Sequence, residues 1–276
     1  MTRQNLSPEV VPAAGFSVRE FARTAHGSHR ASLDLDAYRE HPLDPDTVAI
    51  VDLLARLEHG ALSYLRSVLV TPTHKDARVT AFLVTWAYEK YWVADAIEQV
   101  VAAHPAPPPV RGISRTKRLR LGLAERIEPI TESVVANLIG DDLIATHTAA
   151  GAIDEWITQA GFEQLRDRSP HPELVATLER ILAVKRPHAA FFAADAGDRL
   201  AASPPAVRLA RRRLSRITWP LGSATEPPAL VAGILDRLLP ASGLALIDAR
   251  VDALPGLAGL HLASTAAQKA RKAAAR

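Results

Sequence analysis

Two residues of chemically capable type stand out by position. Glu155 lies in GAIDEWITQAGF and His188 in ILAVKRPHAAFF. Both fall in a stretch from Gly151 to Phe192 that reads as two long amphipathic helices joined by a Ser-Pro-His-Pro turn. The 3.6-residue spacing of the apolar positions turns Glu155 and His188 inward. A carboxylate on one helix facing an imidazole on the next is how helical bundles build metal sites in their cores. The oxygen ligands offset the cation's charge, and a neutral imidazole adds a nitrogen lone pair. The chain has no cysteine. That excludes disulfides, thiolate zinc sites and cysteine nucleophiles, and leaves Asp, Glu and His as the strong ligands.

Such groups need long elements to hold them. Asp44-Pro45-Asp46 is a helix-start signal. After it, Val48, Val51, Leu54, Leu57, Tyr64, Leu65 and Val68 form one apolar stripe over about 46–70. A second helix is predicted over 74–103, with Phe82, Trp86, Glu89, Val93, Ile97 and Val101 along one side. HPAPPPVRG reads as a stiff extended connector. A short helix over Thr116–Glu128 and another from Pro129 follow. Two further long helices are expected over 142–168 and 172–200, the latter with Pro187 as an internal kink. Beyond Ser203-Pro204-Pro205 come a basic helix at 206–217 and another helix at 227–239. ALIDARVDALPGL alternates with period two and reads as a short strand or an extended strap. Residues 1–45 read as an arm with one short helix near Ser17–Ala25.

The four long segments together resemble the ferritin-like superfamily, especially its acyl-carrier-protein desaturase-like branch. That family alternates a helix carrying a lone Glu with a helix carrying Glu-x-x-His. Glu58, in ARLEHGALSYL, matches the first lone Glu. Glu89, in FLVTWAYEKYWVADAI, matches the first Glu-x-x-His, with Trp92 at the His position. Glu155 matches the second lone Glu, accompanied by Thr158 and Phe162. ILAVKRPHAAFF matches the second Glu-x-x-His unit at His188, Phe191 and Phe192, with Val184 and Lys185 where acids are expected. The resemblance thus implies Glu58, Glu89, Glu155 and His188 as a reduced metal-ligand set. It implies an all-α fold with a ferritin-like four-helix bundle over 46–203. The flanking sequence itself reads as an N-terminal arm over 1–45, a helical extension over 204–264 packed on the bundle, and a basic Ala/Lys/Arg tail over 265–276 that is a frayed helix or disordered.

Lys185 decides the functional expectation. A protonated lysine cannot ligate a metal, but it can neutralise a carboxylate cluster. Lys185 is therefore expected within salt-bridge reach of Glu58, Glu89 or Glu155. The resemblance then implies a degenerate di-iron carboxylate site with a non-catalytic binding or structural role, holding no metal or a single iron or manganese ion. The alternative is an iron- or manganese-dependent oxidoreductase acting on an acyl or other apolar substrate.

Composition narrows the partners. The 276 residues are 48% hydrophobic and 23% charged, with a formal net charge of +3. No apolar run reaches the roughly 18 residues of a membrane span, and MTRQNLSPEV lacks a secretory h-region, so a cytoplasmic protein is expected. The pI near 9.4 reflects arginines between Arg208 and Arg216 and a basic tail. Those arginines would suit an acidic carrier protein or, less well, nucleic acid, but read first as a solvated face. An apolar small molecule is the other expected partner, and a homodimer is compatible with the pattern. The sequence has no Gly-rich phosphate loop, nucleophile elbow or His-Glu-x-x-His.

Overall fold

The computed structural model describes residues 15–105 and 140–275, and every regular element in them is helical. Two short helices, α1 (Val18–Arg23) and α2 (Leu35–Glu40), precede four long ones: α3 (Pro45–Leu69), α4 (Ala77–Ala102), α5 (Asp142–Arg168) and α6 (Pro172–Ala202). Four shorter helices follow: α7 (Pro204–Leu214), α8 (Pro228–Leu238), α9 (Ala241–Ala253) and α10 (Leu262–Ala274). Among the described residues, no single helix is long and apolar enough to cross a membrane.

The long helices begin where the sequence caps them. The Asp44 carboxylate accepts the Thr47 N–H at 2.9 Å, with Pro45 in the first turn. Asp76 accepts the Val79 N–H for α4. The His171 ring accepts the Leu174 N–H for α6, with Pro172 next to it. Each cap satisfies an otherwise orphaned donor of the first turn. Pro187 sits inside α6, where it removes one helical hydrogen bond. The carbonyl it leaves free belongs to Ala183, on an exposed position where water can reach it.

The helices pack as two antiparallel pairs, α3 with α4 and α5 with α6, and α5 also carries α7, α8 and α9. That crowding explains why α5 is buried continuously from Thr148 to Gln159 rather than along one stripe. Close approach of α5 and α6 depends on Gly151. A Cβ there would lie 2.5 Å from a ring carbon of Phe192, itself fully enclosed.

The segment beyond Ser203 differs from expectation chiefly in one place. The first nine residues of ALIDARVDALPGL, expected as a strand or strap, lie in α9. Its buried residues Leu244, Ile247, Asp248 and Val251 follow a helical stripe, not the alternation. Asp248 faces inward because its carboxylate accepts the Ala263 and Ser264 N–H groups at the start of α10. The tail, expected as a frayed helix or disordered, is helical through Ala274. Alanine is the best helix former, Ala263 and Ala267 are small enough to bury, and Arg271 pairs with Asp236 of α8 at 2.5 Å. The basic helix ends at Leu214, three residues earlier than predicted. In the arm, α1 lies within the predicted Ser17–Ala25, whereas α2 was not foreseen. The connector from residue 106 and the helices expected over 116–128 and from 129 lie outside the described residues.

Candidate functional site

Each of the four long helices sends charge into the same part of the core. Glu58 comes from α3, Lys90 from α4, Glu155 from α5 and Lys185 from α6, and all four side chains are fully buried. They form a closed ring of alternating sign. Lys90 Nζ lies 2.6 Å from Glu58 Oε2 and 3.2 Å from Glu155 Oε1. Lys185 Nζ lies 2.6 Å from Glu58 Oε1 and 2.9 Å from Glu155 Oε2. Lys185 donates a well-directed hydrogen bond to Glu58. Lys90 approaches off the hydrogen-bonding directions, so its attraction is chiefly Coulombic, and in a low-dielectric core that attraction is strong. Each ammonium also lies beside an aromatic face: Lys90 is 5.6 Å from the Trp86 ring and Lys185 is 5.5 Å from Phe162.

A second pair adjoins the ring. His188 Nε2 meets Glu89 Oε2 at 2.6 Å, and the other Glu89 oxygen accepts the backbone N–H of His26 at 2.7 Å. His188 Nδ1 makes no hydrogen bond and lies 3.7 Å from Glu155 Oε1. Trp86 joins from α4, its indole N–H donating to Glu155 Oε1 at 2.8 Å. Gln159 fixes the backbone of the Lys185 turn by donating to the Lys185 carbonyl at 2.7 Å.

Ionisation is set by the contest between burial and neighbours. Burial alone would raise the Glu155 carboxyl, but Lys185, Lys90 and His188 together hold it well below the ordinary range. Burial alone would lower Lys90; Glu155, Glu58 and Asp154 reverse that and raise it. Glu155 is therefore held as a carboxylate and Lys90 as an ammonium. Asp154, next to Glu155 on α5, has no ammonium partner of its own. Burial pushes its carboxyl up to about 7, while Lys90 and the Leu221 N–H pull the other way.

All four residues expected as ligands, Glu58, Glu89, Glu155 and His188, converge here and are buried. Lys185 meets Glu58 and Glu155, as its position one turn before His188 implied. Trp92, at the first expected His position, does not join the centre. It is half-buried and lies edge-on to Tyr88 and Tyr91 on the outer side of α4.

No family model, curated protein or solved structure matches the chain. The centre is therefore read from its own chemistry. A divalent metal would need the Glu58 and Glu155 oxygens as ligands, and both lysine nitrogens already sit against those oxygens. An ammonium offers no lone pair and repels a cation. Glu89 and His188 are engaged with each other. Among the described residues, no group of three or more His, Asp or Glu is arranged to hold a metal ion. As built, the donor set does not fit a dinuclear site.

Sequence reading missed Lys90 and Trp86 as members of the centre. The signal for both was present. Phe82, Trp86, Lys90 and Ala94 repeat every four residues along α4 and are all buried, so Lys90 occupies a core row in which a charge requires a partner.

Proposed function

We propose that this chain is a ferritin-like four-helix bundle whose two metal positions are taken over by lysine, with a binding or structural role in place of metal chemistry. One observation carries the reading: the Lys90 and Lys185 ammonium groups each touch both Glu58 and Glu155. Two divalent ions bridged by carboxylates and two ammonium ions bridged by carboxylates serve the same electrostatic need. Both neutralise acids that would otherwise be stranded in a dry core. The lysines do so permanently and without free coordination positions, so the arrangement supplies no Lewis acid and no redox centre at this point.

The second reading is an iron- or manganese-dependent oxidoreductase acting on an acyl or other apolar substrate. The convergence of Glu58, Glu89, Glu155 and His188 favours it, but it requires both lysines to leave the carboxylates. Elemental analysis of protein purified from cells supplemented with iron and manganese separates the two. The lysine reading expects far less than one metal ion per chain. One or two tightly held ions per chain would overturn it in favour of the oxidoreductase.

A further inference from the structure

The N-terminal segment touches the centre with two chemically different groups. Among residues 15–30, Phe21 is the one buried side chain. Its ring stacks on Phe82, with centroids 5.1 Å apart, and meets the His188 ring edge-on at 5.8 Å. Phe16 closes the outside, edge-on to Phe191 at 5.3 Å. Five residues after Phe21, the His26 backbone N–H donates to Glu89. The Glu89–His188 pair is thus covered by a phenyl ring and an N–H donor, both from one strap. His188 Nδ1 lies beneath them without a hydrogen bond.

Besides Phe21 and the His26 contact, Phe16 and Val18 pack half-buried against the core, and Arg30 pairs with Asp95 at 2.7 and 3.0 Å while remaining largely exposed. A short segment with one fully enclosed side chain opens locally at lower cost than the long helices beneath it. Beneath it lie apolar walls, Phe82 and Phe191, and a carboxylate floor.

We propose that residues 16–30 are a built-in occupant of a ligand pocket, and that the pocket takes a small aromatic amine. The ligand's ring replaces Phe21 against Phe82 and His188, and its ammonium replaces the His26 N–H on Glu89. Aromatic edge and face contacts favour the ring, and a charged donor to a buried carboxylate is stronger than the amide it displaces. The inference rests on reading the centre as a metal-free binding site, since Glu89 must be free to take the ammonium.

The test uses the full chain and phenethylamine as the probe, followed by calorimetry and by hydrogen exchange. Saturating phenethylamine is expected to speed exchange of amides in 16–30 while leaving α4 and α6 unchanged. Phe21→Ala removes part of the competing occupant and is expected to tighten phenethylamine binding about tenfold, since apparent affinity scales with the open fraction. Ethylbenzene, which has the ring but no amine, is expected to bind the variant far more weakly than phenethylamine. Absence of binding, unchanged or slowed exchange in the strap, or equal binding of ethylbenzene would each overturn the proposal. If Phe21→Ala does not fold, the exchange measurement on the unaltered chain still decides. Stoichiometric metal would sink the lysine reading and this proposal with it, whereas an unresponsive strap in metal-free protein would sink this proposal alone.

Discussion

Lys185 and Lys90 do similar work from opposite sides of the same two carboxylates. Removing either leaves Glu58 and Glu155 sharing one counter-charge in a site without water access. Lys185→Met is therefore expected to lower the unfolding free energy by about 3–5 kcal/mol, measured by urea denaturation, and Lys90→Met should do the same. A loss below about 1 kcal/mol in both would mean the ring contributes little. Lys185→Glu has a different outcome, because it restores Glu-x-x-His with His188. It should raise affinity for manganese above that of the unaltered chain, measured by equilibrium dialysis. Failure of the folded variant to bind would show that Lys90 alone suffices to exclude the ion. The centre was partly legible at this scale. Glu58, Glu89, Glu155 and His188 follow from helix facing and motif position, and Lys185 from its place one turn before His188. Lys90 was passed over because its neighbour Glu89 matched the motif, although the four-residue row through Phe82 and Trp86 runs through Lys90 itself.

Among the elements, α5 carries the most conflict, since it is buried on all sides and still bears acids and histidine. Asp154 and His147 lie on it one above the other in sequence, and their linkages oppose. The Asp154 carboxyl is raised from 3.8 to about 7, chiefly by burial. The folded chain therefore keeps a proton that the unfolded chain releases, and stability from this group falls as pH rises from about 4 to 7. His147 is lowered from 6.5 to about 3, chiefly by burial and secondarily by Arg213. The unfolded chain therefore takes up a proton that the folded chain refuses, and stability falls as pH drops through the same window. Together they partly cancel between about pH 4.5 and 6.5. Asp154→Asn keeps an acceptor for the Leu221 N–H and should unmask the histidine, so that stability climbs with pH relative to the unaltered chain. His147→Gln should show the opposite slope. Each slope is bounded by about 1.4 kcal/mol per pH unit, with His147 below that bound because its residue is partly exposed. Identical pH profiles for both variants would refute the burial of either group. Packing of α5 gives a sharper test at Gly151. Alanine gains about 1 kcal/mol of helix propensity, but its Cβ meets the enclosed Phe192 ring, so Gly151→Ala should destabilise by about 1–3 kcal/mol net. The long helices themselves were readable because Asp and Pro mark their starts and one stripe dominates each. The period in α9 was not, because an inward Asp248 and an outward Ala249 imitate alternation.

For the whole molecule, the C-terminal helices are part of the folded unit. Buried leucines, the Asp248 cap and the Arg271–Asp236 pair hold α8, α9 and α10 together. Limited proteolysis should spare 204–260 and, among the described residues, cut first within 15–30, as read by mass spectrometry of early fragments. Early cleavage throughout 204–260 would show that this packing is weak. The ionic ring has one more consequence, which concerns how the halves of the molecule choose each other. The α3–α4 hairpin carries its own pair, Glu58 with Lys90, and the α5–α6 hairpin carries Glu155 with Lys185. Each half presents an acid beside a base, which is its own electrostatic complement. By these four charges alone, a hairpin docks as well onto a copy of itself as onto its proper mate. Glu89 and His188 break the tie. Two α3–α4 hairpins would press two Glu89 carboxylates together, and two α5–α6 hairpins would bring two His188 rings together. Only the mixed pairing joins carboxylate to imidazole, so this contact selects the correct partner within the chain over an identical half from a neighbouring molecule.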